Sequence, residues 1–168
     1  MSLILENFQR AKHQFDIERD KEDGSKVMKK IITMVNELGT NWNGFNGGEL
    51  AEYQVKLAGY EFYLADYVAE LNRISEQYKL EMKEIKAKRW DEIAETIKAE
   101  RGKVQNKDQI ENALVIETKE LQTQQILYET LFFKYKLKLT ALRDILTAIV
   151  QAIAQKKNEL ERSKAINS

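Results

Sequence analysis

Apolar side chains recur every seven residues along most of this chain. The first series is Leu50, Leu57, Leu64, Leu71, Tyr78 and Ile85, and the second is Leu114, Leu121, Tyr128, Tyr135, Leu142 and Ile149. A sevenfold repeat keeps apolar side chains on one side of a helix and makes that helix pack lengthwise against another helix. The pattern therefore predicts two long helices, one over about 49–101 and one that begins after the break at 102–108.

The two predicted helices are similar in length and are separated by one short break. At ~1.5 Å per residue, each of them is on the order of 80 Å long. Helices joined by a short turn are most simply paired antiparallel. We therefore predict an all-α fold whose body, residues 48–168, is a long antiparallel helical hairpin, coiled-coil-like, with the turn near 102–108.

Residues 1–47 form the predicted N-terminal part of the chain. An apolar stripe runs through Val27, Ile31, Met34, Val35 and Leu38, with Ser25 placed to cap the helix start and Gly39 placed to end it. The stripe predicts a short helix over 25–38 that packs against the hairpin, and then a loop anchored by Trp42 and Phe45. Residues 1–24 are interpreted as either a short docking helix or a mobile arm.

The second long helix carries a wide apolar surface. A third apolar row persists beside the two rows that one partner helix would cover. The short helix over 25–38 is long enough to cover only about a quarter of that surface. Uncovered apolar surface favours self-association, so we predict a homo-oligomer. The residues predicted to form the contact between copies are Leu131, Phe132, Tyr135, Leu139, Leu142, Leu146, Ile149 and Ile153.

Composition favours binding over catalysis. Proline and cysteine are absent, and His13 is the only histidine. A disulfide scaffold, a thiolate metal site, a di-iron bundle and a nucleophilic triad therefore all lack the residues that they need. An acid-only magnesium site of the pyrophosphohydrolase kind would need a Glu-x-x-Asp turn, which is missing. We predict a protein that is not an enzyme, with no cofactor and no metal site.

The sequence also bears on where the protein works. No apolar run approaches the ~20 residues that a membrane span needs, so we expect no membrane partner. Met1 to Leu5 is too short for the apolar part of a secretory signal. The absence of cysteine suits a reducing compartment. We expect a cytoplasmic protein, which means the host cytoplasm if the chain is encoded by a phage.

Charge is balanced over the whole chain but is clustered along it. Lys plus Arg number 27 and Asp plus Glu number 27, so net charge offers no general attraction to nucleic acid. Basic residues nevertheless gather on both predicted long helices. The predicted DNA-binding residues are Arg73, Lys79, Lys83, Lys86, Lys88, Arg89 and Trp90 in the first cluster, and Lys134, Lys136, Lys138 and Arg143 in the second.

A turn near residue 105 would place the second cluster beside residues 67–76, so that the two clusters form one positive belt. Lys and Arg bind phosphates, and aromatic rings stack on unpaired bases. The belt therefore predicts sequence-tolerant binding of single-stranded DNA. The alternative is a structural or adaptor protein that docks protein partners and whose lysines are only solvated.

Two segments carry a resemblance to a known family. They are Leu64 to Leu71, followed by the basic run through Lys88-Arg89, and the segment Lys134 to Leu146. The pattern resembles phage recombination mediators of the UvsY type over about residues 50–165. The resemblance implies a helical oligomer that binds single-stranded DNA through Lys79, Lys83, Lys86, Lys88 and Arg89. It also implies help in loading a recombinase onto strands covered by single-strand-binding protein, and an oligomerising role for the stripe over 131–153.

A second resemblance lies in the loop before the hairpin. Trp42-Asn43-Gly44 between two predicted helices is similar to the Trp-x-Gly turn of small helical-hairpin proteins exported by type VII secretion. In those proteins the turn lies near the middle of a shorter chain. This resemblance implies a structural or adaptor role. A phage structural protein is the other form that this alternative takes.

Overall fold

The computed structural model describes residues 26–101 and 107–166. Its helices are α1 (Lys26–Asn41), a 3-10 helix (Trp42–Gly44), α2 (Gly47–Arg101), α3 (Lys107–Glu117) and α4 (Lys119–Ile166). No strand occurs in these two ranges, so the predicted all-α class is confirmed. The predicted arm over 1–24 and the turn residues 102–106 lie outside the described residues.

The chain divides into two compact units, which we call unit 1 and unit 2. Among the described residues, unit 1 comprises 26–67 and 134–166, and unit 2 comprises 68–101 and 107–133. Helices α2 and α4 each contribute one part to each unit. The boundary near residue 48 that the sequence suggests stays a prediction.

Unit 1 packs α1, the first part of α2 and the last part of α4 around an apolar core. Its fully buried side chains include Ile31, Leu38, Leu50, Leu57, Leu142, Ile145 and Ile149. Arg143 Nε donates to Glu61 Oε1 over 2.7 Å, and Lys156 Nζ donates to the Asn43 carbonyl over 3.0 Å. The later residue of α4, Lys156, contacts the earlier residue Asn43, and the earlier residue of α4, Arg143, contacts the later residue Glu61. Helices α2 and α4 are therefore antiparallel. The predicted hairpin pairing and the predicted packing of the short helix are confirmed here.

Helix α1 ends later than the sequence suggests. We expected Gly39 to end the helix, whereas α1 continues to Asn41. Gly39 is buried, and the Thr40 hydroxyl donates to the Asn36 carbonyl oxygen over 2.7 Å within the last turn. Glycine at this position therefore lies inside the packed end of α1 and not just beyond it.

Helix α2 starts with two reciprocal hydrogen bonds. The Glu49 amide donates to Asn46 Oδ1 over 2.9 Å, and the Asn46 amide donates to Glu49 Oε2 over 2.7 Å. Together they satisfy two amides that a helix start otherwise leaves without partners. The capping pair fixes where α2 begins after the Trp42–Gly44 turn.

We expect Asn46→Ala to lower the free energy of unfolding by about 1 kcal/mol, because it leaves the Glu49 amide without its acceptor. Chemical denaturation followed by far-ultraviolet circular dichroism measures this loss. The matched control is Asn43→Ala, since the Asn43 side chain is exposed and makes no hydrogen bond in the described ranges. Equal stability of both variants would contradict the capping role.

Unit 2 pairs the second part of α2 with α3 and the first part of α4. The rings of Tyr78 and Tyr128 stack with centroids 5.8 Å apart, and Arg89 Nε donates to Glu117 Oε1 over 2.8 Å. These pairs again run in opposite chain directions, so this unit is also an antiparallel hairpin. Its buried apolar side chains are fewer: Val68, Leu71, Ile110 and Leu114.

The second predicted helix is divided at Thr118 into α3 and α4. The buried Thr118 hydroxyl donates a hydrogen bond to the Leu114 carbonyl oxygen over 2.8 Å. The Thr118 backbone amide donates to the same oxygen over 2.9 Å. Hydroxyl bonding to the carbonyl four residues earlier often bends a helix. The Gln122 amide still donates to the Thr118 carbonyl over 2.9 Å, so the helical hydrogen bonds continue across the division.

The stripe assigned to contacts between copies is largely internal. Leu139, Leu142 and Ile149 are buried inside unit 1. The small side chains of Ala148 and Ala152, which are also buried, allow the helices of this unit to approach closely. We therefore withdraw these three residues from the contact between copies. Leu131, Phe132, Tyr135, Leu146 and Ile153 are half-buried, and the homo-oligomer stays a prediction.

Candidate interaction surfaces

Most basic residues of the first predicted cluster form ion pairs with Glu carboxylates. Arg73 Nη2 lies 2.7 Å from Glu70 Oε1 on the same helix. Lys79 Nζ lies 2.8 Å from Glu76 Oε1 and 3.2 Å from Glu129 Oε1 across unit 2. The hydrogen bond to Glu76 and, to a smaller extent, the one to Glu129 raise the pKa of the Lys79 ammonium. These cations are largely neutralised by neighbouring carboxylates.

The same holds farther along α2. Lys88 Nζ lies 3.8 Å from Glu84 Oε2, a loose and exposed pair. Arg89 pairs with Glu92 and reaches Glu117 on α3. The hydrogen bond to Glu117 is the main cause that raises the pKa of the Arg89 guanidinium. Arg89 thus serves first to join α2 to α3.

Lys83 and Lys86 differ from the rest of this cluster. Both are exposed, and neither forms an ion pair with any residue of the described ranges. Trp90, one turn beyond Lys86, is half-buried. The exposed, uncompensated charge of the first cluster is therefore concentrated on two lysines.

The second predicted cluster belongs to unit 1. Arg143 is paired with Glu61, and Lys134 lies with Nζ 5.8 Å from the ring centre of Tyr135. Lys138 is fully buried, with Nζ 5.1 Å from the same ring. Burial takes Lys138 off the surface, so we withdraw it from the DNA-binding residues. Lys136 is exposed.

The structure assigns the two basic clusters to different units. The first lies in unit 2 and the second in unit 1. The shared positive belt therefore stays a prediction. Within unit 2, four basic residues of the first cluster, Arg73, Lys79, Lys88 and Arg89, are paired with carboxylates, so a strong general attraction to phosphate is unexpected.

The Trp42-Asn43-Gly44 turn is an ordered part of unit 1. Trp42 is buried, as the sequence predicts, and Lys156 Nζ lies 5.8 Å from its ring centre. The ring of Phe45, the second predicted anchor, lies 5.0 Å from that of Tyr53 on α2. The turn thereby ties the α1–α2 connection to α4.

Tyr53 on α2 has a raised pKa, which can be detected at high pH. Burial and, next, the hydrogen bond to Glu37 raise its pKa from 10.0 to about 12. The folded state therefore favours the neutral phenol, and this contribution to stability is complete below pH 10 and is lost as pH rises through about 12. We expect ultraviolet titration to show a late phenol that Tyr53→Phe removes. If the variant loses a phenol that titrates near the ordinary value of 10.0 and keeps the late one, the assignment is contradicted.

Sequence reasoning missed an apolar surface in unit 2, which we call the α3–α4 face. It consists of Val115, Ile116, Ile126, Leu127 and Phe133, whose side chains are between 47% and 75% exposed. At 3.6 residues per turn they occupy roughly one third of the helix circumference. These residues fall outside the sevenfold series, and only the side of α4 turned toward α2 decides which apolar positions stay exposed.

The described ranges contain neither a metal-binding cluster nor a membrane-spanning helix. Across residues 26–101 and 107–166, no group of three side chains of metal-binding type is close enough to hold an ion. Over the same residues, no helix combines the length and the apolar character that crossing a membrane requires.

No family model, curated protein or solved structure matches this chain. The resemblances to recombination mediators and to Trp-x-Gly proteins therefore rest on residue pattern alone. Two surfaces of the described residues are available to a partner: the α3–α4 face and the lysine pair Lys83 and Lys86.

Proposed function

We propose that this chain is a non-enzymatic structural or adaptor protein that binds a helix of a partner protein on its α3–α4 face. The observation that carries the proposal is the exposure of five large apolar side chains on one side of α3 and α4. Isolated apolar residues on a surface need no explanation, whereas several on one side of a helix favour an interaction site, here in two groups with the exposed Lys119 and Thr123 between them. The spacing of seven between Ile126 and Phe133 suits an amphipathic partner helix.

Energetics favour a reversible complex. Burying a fully exposed large apolar side chain contributes roughly 1.5–3 kcal/mol, and each of these side chains, which are between 47% and 75% exposed, would contribute about half to three quarters of that. Five such contributions are of the same order as the roughly 4–15 kcal/mol that association costs. The exposed Lys119 lies within the face and forms no ion pair in the described ranges, so an acidic residue on the partner helix would add specificity.

We expect Ile126→Glu to abolish this binding, because it places a charge in the centre of the apolar contact. Affinity purification from the source cells with wild-type and variant bait, followed by mass spectrometry, compares the partners. Leu80→Glu is the matched control, since Leu80 is exposed to a similar degree in unit 2 but lies on α2. Identical partner sets for wild type and Ile126→Glu would contradict the proposal.

A second candidate is the binding of single-stranded DNA in the manner of a recombination mediator. It is favoured by Lys83 and Lys86, which remain exposed and outside any ion pair of the described ranges. Two lysines supply few phosphate contacts, so strong binding would need several copies acting together. A recombinase and single-strand-binding protein would then be the protein partners.

Fluorescence anisotropy with labelled oligonucleotides tests this candidate. If DNA binds, Lys83→Ala with Lys86→Ala should weaken binding for all sequences alike and reduce its salt dependence by about two charges. Lys98→Ala is the control, since Lys98 is exposed on the same helix and also lacks an ion pair in the described ranges. Salt-independent signals, or equal loss in the control, would exclude the lysine pair as the site.

A further inference from the structure

Helix α2 carries a glycine that its own unit does not explain. Gly59 lies inside the 55-residue helix α2, about three turns from its start at Gly47, and is exposed. A Cβ atom built on it would meet no heavy atom within 4 Å, so no neighbour among the described residues requires the missing side chain. Glycine is among the least favourable residues in a helix interior. The gap on this side of α2 therefore points to something outside the chain.

Large apolar side chains surround this gap. Val55 is 73% exposed, Phe62 is 74% exposed, and Tyr63 is about half exposed. At 100° per residue, all three lie within roughly one sixth of the circumference on either side of Gly59. Unit 1 thus presents a hollow at Gly59 with a protruding phenyl ring nearly one turn away.

We infer that this side of α2, residues 52–66, is a contact between two copies of the chain, packed antiparallel about a two-fold axis. A hollow and a protrusion three residues apart are self-complementary in that arrangement. Phe62 of each copy fills the space above Gly59 of the other, and both contacts form at once because a two-fold contact is isologous. The missing side chain at Gly59 lets the two backbones approach closely.

Charge complementarity supports a second copy as the occupant. With Phe62 opposite Gly59 of the other copy, Lys56 comes within reach of the other copy's Asp66, and the reverse holds. Asp66 is exposed and forms no ion pair in the described ranges. Lys56 has only a loose exposed pair with Glu52, at 3.6 Å. Two symmetric ion pairs, one at each end of the contact, would therefore stabilise the dimer.

The proposed contact is small. About four turns of one helix are smaller than a standard interface of roughly 1,600 Å². We therefore expect a dimer with a micromolar dissociation constant. The inference does not depend on the proposed function, because the α3–α4 face lies in unit 2 and this surface lies in unit 1.

Sedimentation equilibrium of the full chain tests the contact. We expect Gly59→Leu to raise the dimer dissociation constant at least about tenfold, because the leucine fills the hollow that receives Phe62. Leucine is also a better helix former than glycine, so the thermal midpoint at the lowest concentration should not fall. A variant that dimerises as tightly as wild type, or a wild type that stays monomeric at millimolar concentration, would overturn the inference.

A charge exchange keeps the inference testable if the leucine disturbs folding. Lys56→Asp and Asp66→Lys should each weaken the dimer, and the double variant should restore it, since the ion pairs re-form with reversed sign. A double variant no tighter than either single variant would overturn the antiparallel register. Ile126→Glu should leave the dissociation constant unchanged, so failure of this contact is distinguishable from failure of the α3–α4 face.

Discussion

Leu142→Ala is expected to lower the free energy of unfolding by about 2–5 kcal/mol. Leu142 is fully buried in unit 1, together with Ile145 and Ile149 on the same helix. Truncation removes the transfer energy of the side chain and leaves a cavity that the surrounding helices fill only in part. Urea unfolding at several protein concentrations measures the loss.

The matched control for Leu142→Ala is Leu137→Ala. Leu137 lies on the same helix and in the same unit but is 57% exposed, so its truncation should change stability by less than about 1 kcal/mol. The pair also separates two roles of α4. If Leu142 served contacts between copies, its variant would change the oligomeric state and spare the stability of the monomer, which would contradict the core assignment.

Trp42→Ala is expected to destabilise the chain by about 3–5 kcal/mol. The indole is buried at the turn between α1 and α2, and Lys156 on α4 lies over its ring. Its loss therefore empties the site at which the turn meets α4. Thermal unfolding followed by circular dichroism measures the effect.

Trp90→Ala is the matched control for Trp42→Ala. Trp90 is half-buried in unit 2, so its truncation should cost clearly less. Fluorescence adds a second readout, since the buried Trp42 should emit at shorter wavelength than Trp90. Equal destabilisation by both variants would contradict the anchoring role of Trp42.

The helices could largely be predicted from the sequence because their apolar spacing is local information. The sevenfold series placed the start of α2 within two residues of Gly47. The exchange of hydrogen bonds between Asn46 and Glu49 is a signal that would have placed it more closely. The predicted end of α1 at Gly39 was wrong because a sequence does not distinguish a buried glycine inside a helix from a glycine that ends one.

The candidate surfaces were harder to predict because they depend on contacts between helices. The pairing of Arg89 with Glu117 and of Arg143 with Glu61 joins residues far apart in the chain. Basic residues that looked available for DNA are therefore partly neutralised. Exposure of Ile126 and Phe133 likewise depends on how much of the surface of α4 the neighbouring helices cover, which the sevenfold spacing does not give.

The central claim is that the α3–α4 face binds a partner protein, and photo-crosslinking in the source cells tests it most directly. Benzoylphenylalanine is placed at position 126 in one variant and at position 80 in another. We predict a light-dependent covalent adduct with a protein at position 126 and none at position 80. The absence of any protein adduct at position 126, or equal adducts at both positions, would contradict the account.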